Sequence, residues 1–307
     1  MSFFKDQWLK FHYNLDVEQT CRTNIWDVFT YTSRTNSLDH QSFLQEMKLS
    51  CCEINQQALK HNKKLGLFLS GGVDSEIIAR TYLELGIDFE PFFILFKNDL
   101  NAHERELVDN FSKQTGKQVN LIDLDIYKWI WDPEGLAKYS TLYRTFDLAT
   151  TVQLWAREQI SADYSIVSGQ YEPHMFKAQL GNTLEYKWVH VFEESSFISR
   201  INHCNSNNFF DFPFFYLYRP ELYAAYSNDI FVEKMIQNPY KLSLVSTKKQ
   251  MMEFYFSEMP VRPKYNGFEK LDKTWIGYFN KIIEGFGYQD GEIRILHDNL
   301  EDLYNHD

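Results

Sequence analysis

Leu65-Gly66-Leu67-Phe68-Leu69-Ser70-Gly71-Gly72-Val73-Asp74-Ser75 is the stretch on which the reading of this chain turns. Five residues that are mostly apolar run straight into two glycines. A helical pattern follows, with Ile77, Ile78, Tyr82 and Leu85 on an inner face and Arg80 and Glu84 outside. Gly86 ends it. The expectation is a buried strand, a tight turn and a helix. Gly71 and Gly72 allow the turn and a close approach of backbone to a ligand. Successive N–H groups in such a turn point into one concavity, and the helix adds its positive end there, which suits a phosphate. Ser70 and Ser75 can donate hydroxyl hydrogen bonds. Asp74 repels a phosphate directly, so a magnesium ion between the two is expected. The bland alternative is an ordinary glycine turn, but a lone Ser-Gly-Gly is far commoner than this six-residue string between a strand and a helix. The phosphate loop of kinases and GTPases fits poorly, because its Gly-Lys-Ser/Thr ending is missing.

Working outward, residues 42–60 read as a helix on Phe43, Met47, Ile54 and Ala58. A strand is expected over Pro91–Phe96. Asn101 and Glu104 then resemble a capping box, opening a helix to about Thr115 with Leu107, Val108 and Phe111 inward and Gly116 as its stop. Further strands are expected at Val119–Leu124 and Tyr164–Val167, with a helix over about Leu148–Ile160 between them. The last strand ends at Ser168-Gly169. This alternation predicts an α/β protein with a doubly wound, mostly parallel sheet. Ligands of such sheets bind beyond the carboxyl ends of the strands, which selects the turns after Leu69, Phe96 and Val167. Residues 175–245 are irregular and aromatic, and residues 246–305 read as mainly helical.

Composition narrows the partners. Hydrophobic residues make up 44% of the 307 and charged residues 24%, which supports a sizeable core. The net charge of −11 makes nucleic acid an unlikely default partner, since polyanions usually demand a basic surface. The high aromatic content, with 26 Phe and 19 Tyr, fits either codon bias or an aromatic-lined pocket. Cys21, Cys51, Cys52 and Cys204 form no Cys-x-x-Cys pair, so reduced thiols are expected rather than a zinc site. The N-terminus lacks a signal-peptide pattern, and no run approaches the roughly 18 apolar residues of a membrane span. A cytoplasmic protein with no membrane partner is the expectation.

Ser70-Gly71-Gly72-Val73-Asp74-Ser75 resembles the motif of the N-type ATP pyrophosphatases, or PP-loop superfamily, which includes asparagine synthetase, GMP synthetase, NAD synthetase and tRNA-thiolating enzymes. A second stretch narrows the likeness. Ser246-Thr247-Lys248-Lys249-Gln250 opens a helical pattern, followed by Val261-Arg262-Pro263-Lys264 and Gly267-Phe268, and this is similar to the C-terminal part of the synthetase domain of asparagine synthetase. The resemblance covers about residues 40–285. It implies an adenine nucleotide alpha hydrolase-like fold over residues 61–307, with residues 1–60 as an N-terminal extension and lead-in helix. It implies ATP and Mg²⁺ as cofactors, attack on the α-phosphate, and release of AMP and pyrophosphate. Lys264 would neutralise charge as pyrophosphate leaves. Adenine would lie against backbone near Leu69 and Phe96, and phosphate against residues 70–75 and Gly169, with Asp74 holding the metal.

Two departures from the family matter. Asparagine synthetases begin with a glutaminase domain whose nucleophilic cysteine follows the initiator Met. This chain has Ser2 there and no room for that domain before residue 65, so a separate amine or ammonia donor is expected. The family's Gly-Asp/Glu-Gly-x-Asp-Glu after the fourth strand reads here Gly169-Gln170-Tyr171-Glu172-Pro173-His174. Glu172 is then either a substitute metal ligand or base, or a loop carboxylate in water. His174 is either a general base near neutral pH or a surface histidine. The function expected is an ATP-dependent, amidotransferase-like ligase acting on a small-molecule substrate. The alternatives are a nucleobase or tRNA modification enzyme and a degenerate nucleotide-binding protein.

Overall fold

The computed structural model describes residues 40–143, 145, 147–169, 174–179, 186–191, 194–227 and 267–284, with Phe3, Lys5 and the pairs 27–28 and 294–295. The elements are β1 (Asp27–Val28), α1 (Phe43–Lys60), β2 (Lys64–Phe68), α2 (Val73–Glu84), β3 (Glu90–Phe96), α3 (Ala102–Thr115) and β4 (Asn120–Leu124). Then come α4 (Ile126–Trp131), α5 (Leu136–Tyr143), α6 (Leu148–Glu158) and β5 (Tyr164–Val167). The later elements are β6 (His174–Gln179), β7 (Tyr186–Val191), α7 (Glu194–Asn207), α8 (Pro220–Ser227), α9 (Thr274–Glu284) and β8 (Arg294–Ile295).

An apolar run as short as β2 can satisfy its backbone and bury both faces only between other strands. It takes one on each side. The sheet runs β4-β3-β2-β5 and every pair in it is parallel, in the register Gly66↔Glu90, Leu67↔Val167 and Ile94↔Ile122. The expected α/β class with a parallel sheet is therefore present. Side-chain alternation along each strand divides the core in two. Leu65, Leu67, Leu69, Phe93 and Val167 point to one face, where α1, α2, α3 and residues 212–226 cover them. Phe68, Phe92, Ile122 and Ile166 point to the other, against Ala156 and Ile160 of the α6 region. Gly66 sits at the tightest place: a Cβ there would lie 2.4 Å from Ile166 Cδ1 and 2.9 Å from the Phe92 ring. A third cluster beside the β3 and β4 ends joins Phe96 and Leu124 to α4, α5, α6 and α9.

The helices form largely where the periodicity places them. At the start of α1, the Gln45 side chain accepts from the Ser42 amide and hydroxyl at 3.3 and 2.9 Å. Met47, Ile54 and Ala58 of α1 are fully buried in the core shared with β2, so this lead-in helix is integral to the sheet's packing. Gly116 takes the left-handed conformation that ends α3, with φ 71°. The capping box expected at Asn101 and Glu104 is not formed. The Asn101 side chain leaves the helix amides uncapped: it accepts from Phe96 N at 2.9 Å and donates to Ile94 O at 2.9 Å and to the Glu104 carboxylate at 3.3 Å. A buried side chain that satisfies the end of a strand outcompetes a cap that water can replace.

After β4 the chain crosses back through α4, α5 and α6 to β5, on the far side of β2. The progression along the sheet reverses between β2 and β5, which makes the gap beyond their carboxyl ends the topological switch point. Beyond β5 the sheet gains a short extension, where Phe212 pairs in parallel with Val167, Phe212 N donates to Ile166 O at 2.8 Å and Ser168 N to Phe212 O at 3.2 Å. A buried ion pair anchors it. Arg157 donates to both oxygens of Asp211 at 2.6 and 3.1 Å and to the carbonyls of Ile160 and Tyr164, while Asp211 Oδ1 accepts from Ile166 N at 2.9 Å. These bonds supply the satisfaction that a buried pair requires.

The irregular middle holds an antiparallel hairpin, β6 against β7, and the helix α7. Of the mainly helical stretch expected at 246–305, α9 is helical, but Arg294–Ile295 is a strand paired in parallel with Asp27–Val28. Among the described residues, no helix is long and apolar enough to cross a membrane.

Candidate functional site

The loop between β2 and α2 opens onto the switch point. Gly71 adopts φ +69°, and a Cβ there would lie 2.8 Å from the Glu104 carbonyl oxygen in the first turn of α3. This is a position only glycine fits, both in torsion and in space. Gly72 is extended, with φ −77° and ψ 160°, and caps α2. Ser75 is buried, and its hydroxyl serves the loop itself: it accepts from Ser70 N at 3.1 Å and donates to Gly72 O at 3.1 Å. Ser70 Oγ lies 3.2 Å from Ser75 Oγ and 3.3 Å from the Gly72 amide, which donates to it. Ser70 is exposed, so its hydroxyl is the one at the loop's outer surface. Leu69 is buried and continues the ladder, with its amide donating to Phe92 O at 2.8 Å.

Gly169 comes from the opposite side. A Cβ at this position would lie 3.0 Å from both the Asp74 carbonyl carbon and the Ser75 nitrogen. The exit of β5 therefore rests directly on the first turn of α2. The same peptide group is held by Tyr216, whose hydroxyl donates to the Asp74 carbonyl oxygen at 3.2 Å. Residues 70–75 and Gly169, read from the sequence as one site, are thus brought together. Nothing in the local sequence marks Tyr216, since its partner lies 142 residues away.

Phe96 stands differently. Its ring is buried against the Phe268 ring, with centroids 5.3 Å apart, and its amide bonds to Asn101. Neither the ring nor the amide is offered to a ligand. Gly267, three residues after Lys264, takes φ +83° and packs so tightly on the β3 exit that a Cβ would meet Leu100 O at 2.7 Å. The Gly267-Phe268 turn is thereby docked at the carboxyl edge of the sheet. Lys264 itself and Glu172, with Gln170 and Pro173, lie outside the described residues. His174 opens β6, opposite Val191.

The residues fit a phosphate in shape: a glycine in the left-handed region, a helix N-terminus and an extended cap at one corner. For the metal, Asp74 is half-buried at the head of α2, and among the described residues no group of three His, Cys, Asp or Glu side chains gathers around a common point. Behind Ser168 lies a cavity of about 20 Å³ lined by Gln153, Arg157, Arg200, His203 and Cys204, among others. That is room for a single water, too little for an acceptor substrate. Burial pushes the Cys204 thiol well above its ordinary range, and the Cys51 thiol likewise.

Further out, α5, α6 and α7 meet in a polar cluster. Glu158 accepts from the Tyr139 hydroxyl at 2.6 Å and lies 3.1 Å from His203 Nε2. Burial raises the Glu158 carboxyl, but the hydrogen bonds from His203 and Tyr139 outweigh it and hold the group below the usual carboxylate range. Burial and the same carboxylate push the Tyr139 phenol up, which keeps it a donor. No protein-family model matches the chain, and no curated protein matches it significantly.

Proposed function

We propose that this chain binds Mg²⁺ and ATP at residues 70–75 and cleaves ATP between its α- and β-phosphates, on an adenine nucleotide alpha hydrolase-like fold. The observation that carries this reading is the placement of the Gly71–Gly72 turn at the switch point between β2 and β5, with Gly71 in a conformation reserved for glycine. A bound magnesium would screen the phosphates from Asp74. The loop amides and the N-terminus of α2 would hold the phosphates, and Gly169 would keep the β5 exit low enough for them to enter. The reaction is attack by an acceptor oxygen on the α-phosphorus, with loss of pyrophosphate, and then displacement of AMP by a nitrogen nucleophile. Lys264 is proposed as a catalytic group on the family resemblance, with Glu172 as a substitute metal ligand or base and His174 as a general base where the family's carboxylates are missing. The docking of Gly267-Phe268 beside the β3 exit supports the likeness, because this turn of the resembling stretch lies at the carboxyl edge of the sheet.

The test is the product. Incubation with Mg²⁺, ATP, ammonium and a panel of small carboxylic acids should release AMP and pyrophosphate in equal amounts. ADP in their place would sink the reading. Asp74→Asn should remove the magnesium-dependent part of ATP binding and all turnover. A second reading, a nucleotide-binding protein without turnover, is favoured by Gln170 and Pro173 at the positions of the family's carboxylates. It predicts ATP binding by calorimetry with neither product.

A further inference from the structure

We propose that Tyr216 is a positioning residue for the loop, setting the Asp74–Ser75 peptide against the exit of β5. The proposal rests on the reading of residues 70–75 as a Mg²⁺ and ATP site. Tyr216 belongs to the 3-10 turn Phe215–Leu217, which is buried throughout. Its own location is dictated from the β5 side. Phe215 N donates to Ser168 O at 3.4 Å, and Phe212 pairs with Val167. The Arg157–Asp211 pair locks the start of this segment to β5 through Ile166 N. The hydroxyl that reaches Asp74 O is therefore carried on a segment tied to the exit of β5.

Gly169 presses on the same peptide from the strand, so closely that a Cβ, 3.0 Å from the Asp74 carbonyl carbon and the Ser75 nitrogen, would have to push it aside. The two contacts together define how deep the first turn of α2 sits beside β5. Asp74, the residue proposed to face the metal, hangs from that peptide. A carbonyl oxygen has two lone pairs, so the tyrosine bond adds to the helical one without replacing it. Its removal leaves the helix intact and frees the first turn to shift. The effect expected is on ligand geometry more than on folding.

The experiment compares ATP binding by calorimetry, with Mg²⁺ and with EDTA, for the full chain and its Tyr216→Phe variant, beside thermal melts of both. Phe keeps the ring in its pocket and removes only the hydroxyl. The variant should bind Mg²⁺ and ATP about 3- to 10-fold more weakly, the range for loss of one hydrogen bond. Binding in EDTA should change less, because the loop amides remain. A lowered melting temperature with unchanged affinity would show Tyr216 to be structural only and overturn the proposal, leaving the site reading intact. Failure of the unaltered chain to bind ATP at all would bring down the site reading, and this proposal with it. Should Tyr216→Phe not fold, Gly169→Ala presses the same peptide from the other side, and unchanged binding there also overturns the proposal.

Discussion

Gly71 and Gly72 stand side by side in the sequence but ask different things of the backbone. Gly71 is left-handed and touches the main chain of α3, whereas Gly72 is extended and faces only the flexible Ser70 hydroxyl, 3.1 Å from where a Cβ would sit. An Ala at 71 must be strained in torsion and must push Glu104 away, and neither relief is cheap. Gly71→Ala should therefore lower stability by about 1–3 kcal/mol, while Gly72→Ala, at an ordinary φ, should cost less than about 1 kcal/mol. Urea denaturation of the two variants checks this; equal losses would mean that the turn is not held as described. The pair was visible in the sequence as a turn. Which of the two carries the constraint was not, because Glu104 approaches from another element. Ser75 shows the same limit: local sequence offers its hydroxyl as a ligand donor, and the fold turns it inward to bridge Ser70 and Gly72.

Among the elements, strands β2 to β5 were legible because short apolar runs flanked by turn residues leave the backbone few alternatives. The helix α7 was not, although Phe197, Ile201 and Cys204 recur at helical spacing. Its pattern is blurred by Ser199, Arg200 and His203, polar residues that a solvent-facing stripe would explain but that are all buried. They are buried because α5, α6 and α7 share a polar seam, with Arg200 donating to Gln153 at 2.7 Å and His203 beside Glu158. The seam carries a pH dependence. Glu158 is held below its usual range in the folded state, so its contribution is full above the unfolded value near pH ~4.3 and is lost as pH falls through the folded value. Melts of Glu158→Gln from pH 3 to 7 should show a deficit at neutral pH that shrinks toward acid. A deficit that is the same at every pH would remove Glu158 as the source.

For the whole molecule, the sheet order places the loop after β2 and the exit of β5 on either side of one crevice, and Phe212 extends the sheet beside β5. If ATP and Mg²⁺ bind there, the ligand stabilises only the folded chain, by about 2.7 kcal/mol at a hundredfold excess over Kd. The melting temperature should rise with ATP in the presence of magnesium and less in EDTA; no rise at millimolar ATP would argue against binding. The strand, the glycine turn and the helix at 64–84, along with the parallel α/β class, are written locally in the chain, because hydrophobic period and turn chemistry need only near neighbours. The sequence also marks Gly169 as lying beyond a strand end. It took the packed fold to turn the Asn101 side chain to the backbone of β3 in place of the helix amides, the Phe96 ring to Phe268, and the Tyr216 hydroxyl to Asp74 from 142 residues away. Those contacts depend on which elements become neighbours, and a buried polar group takes its partner from whatever the packing brings within reach.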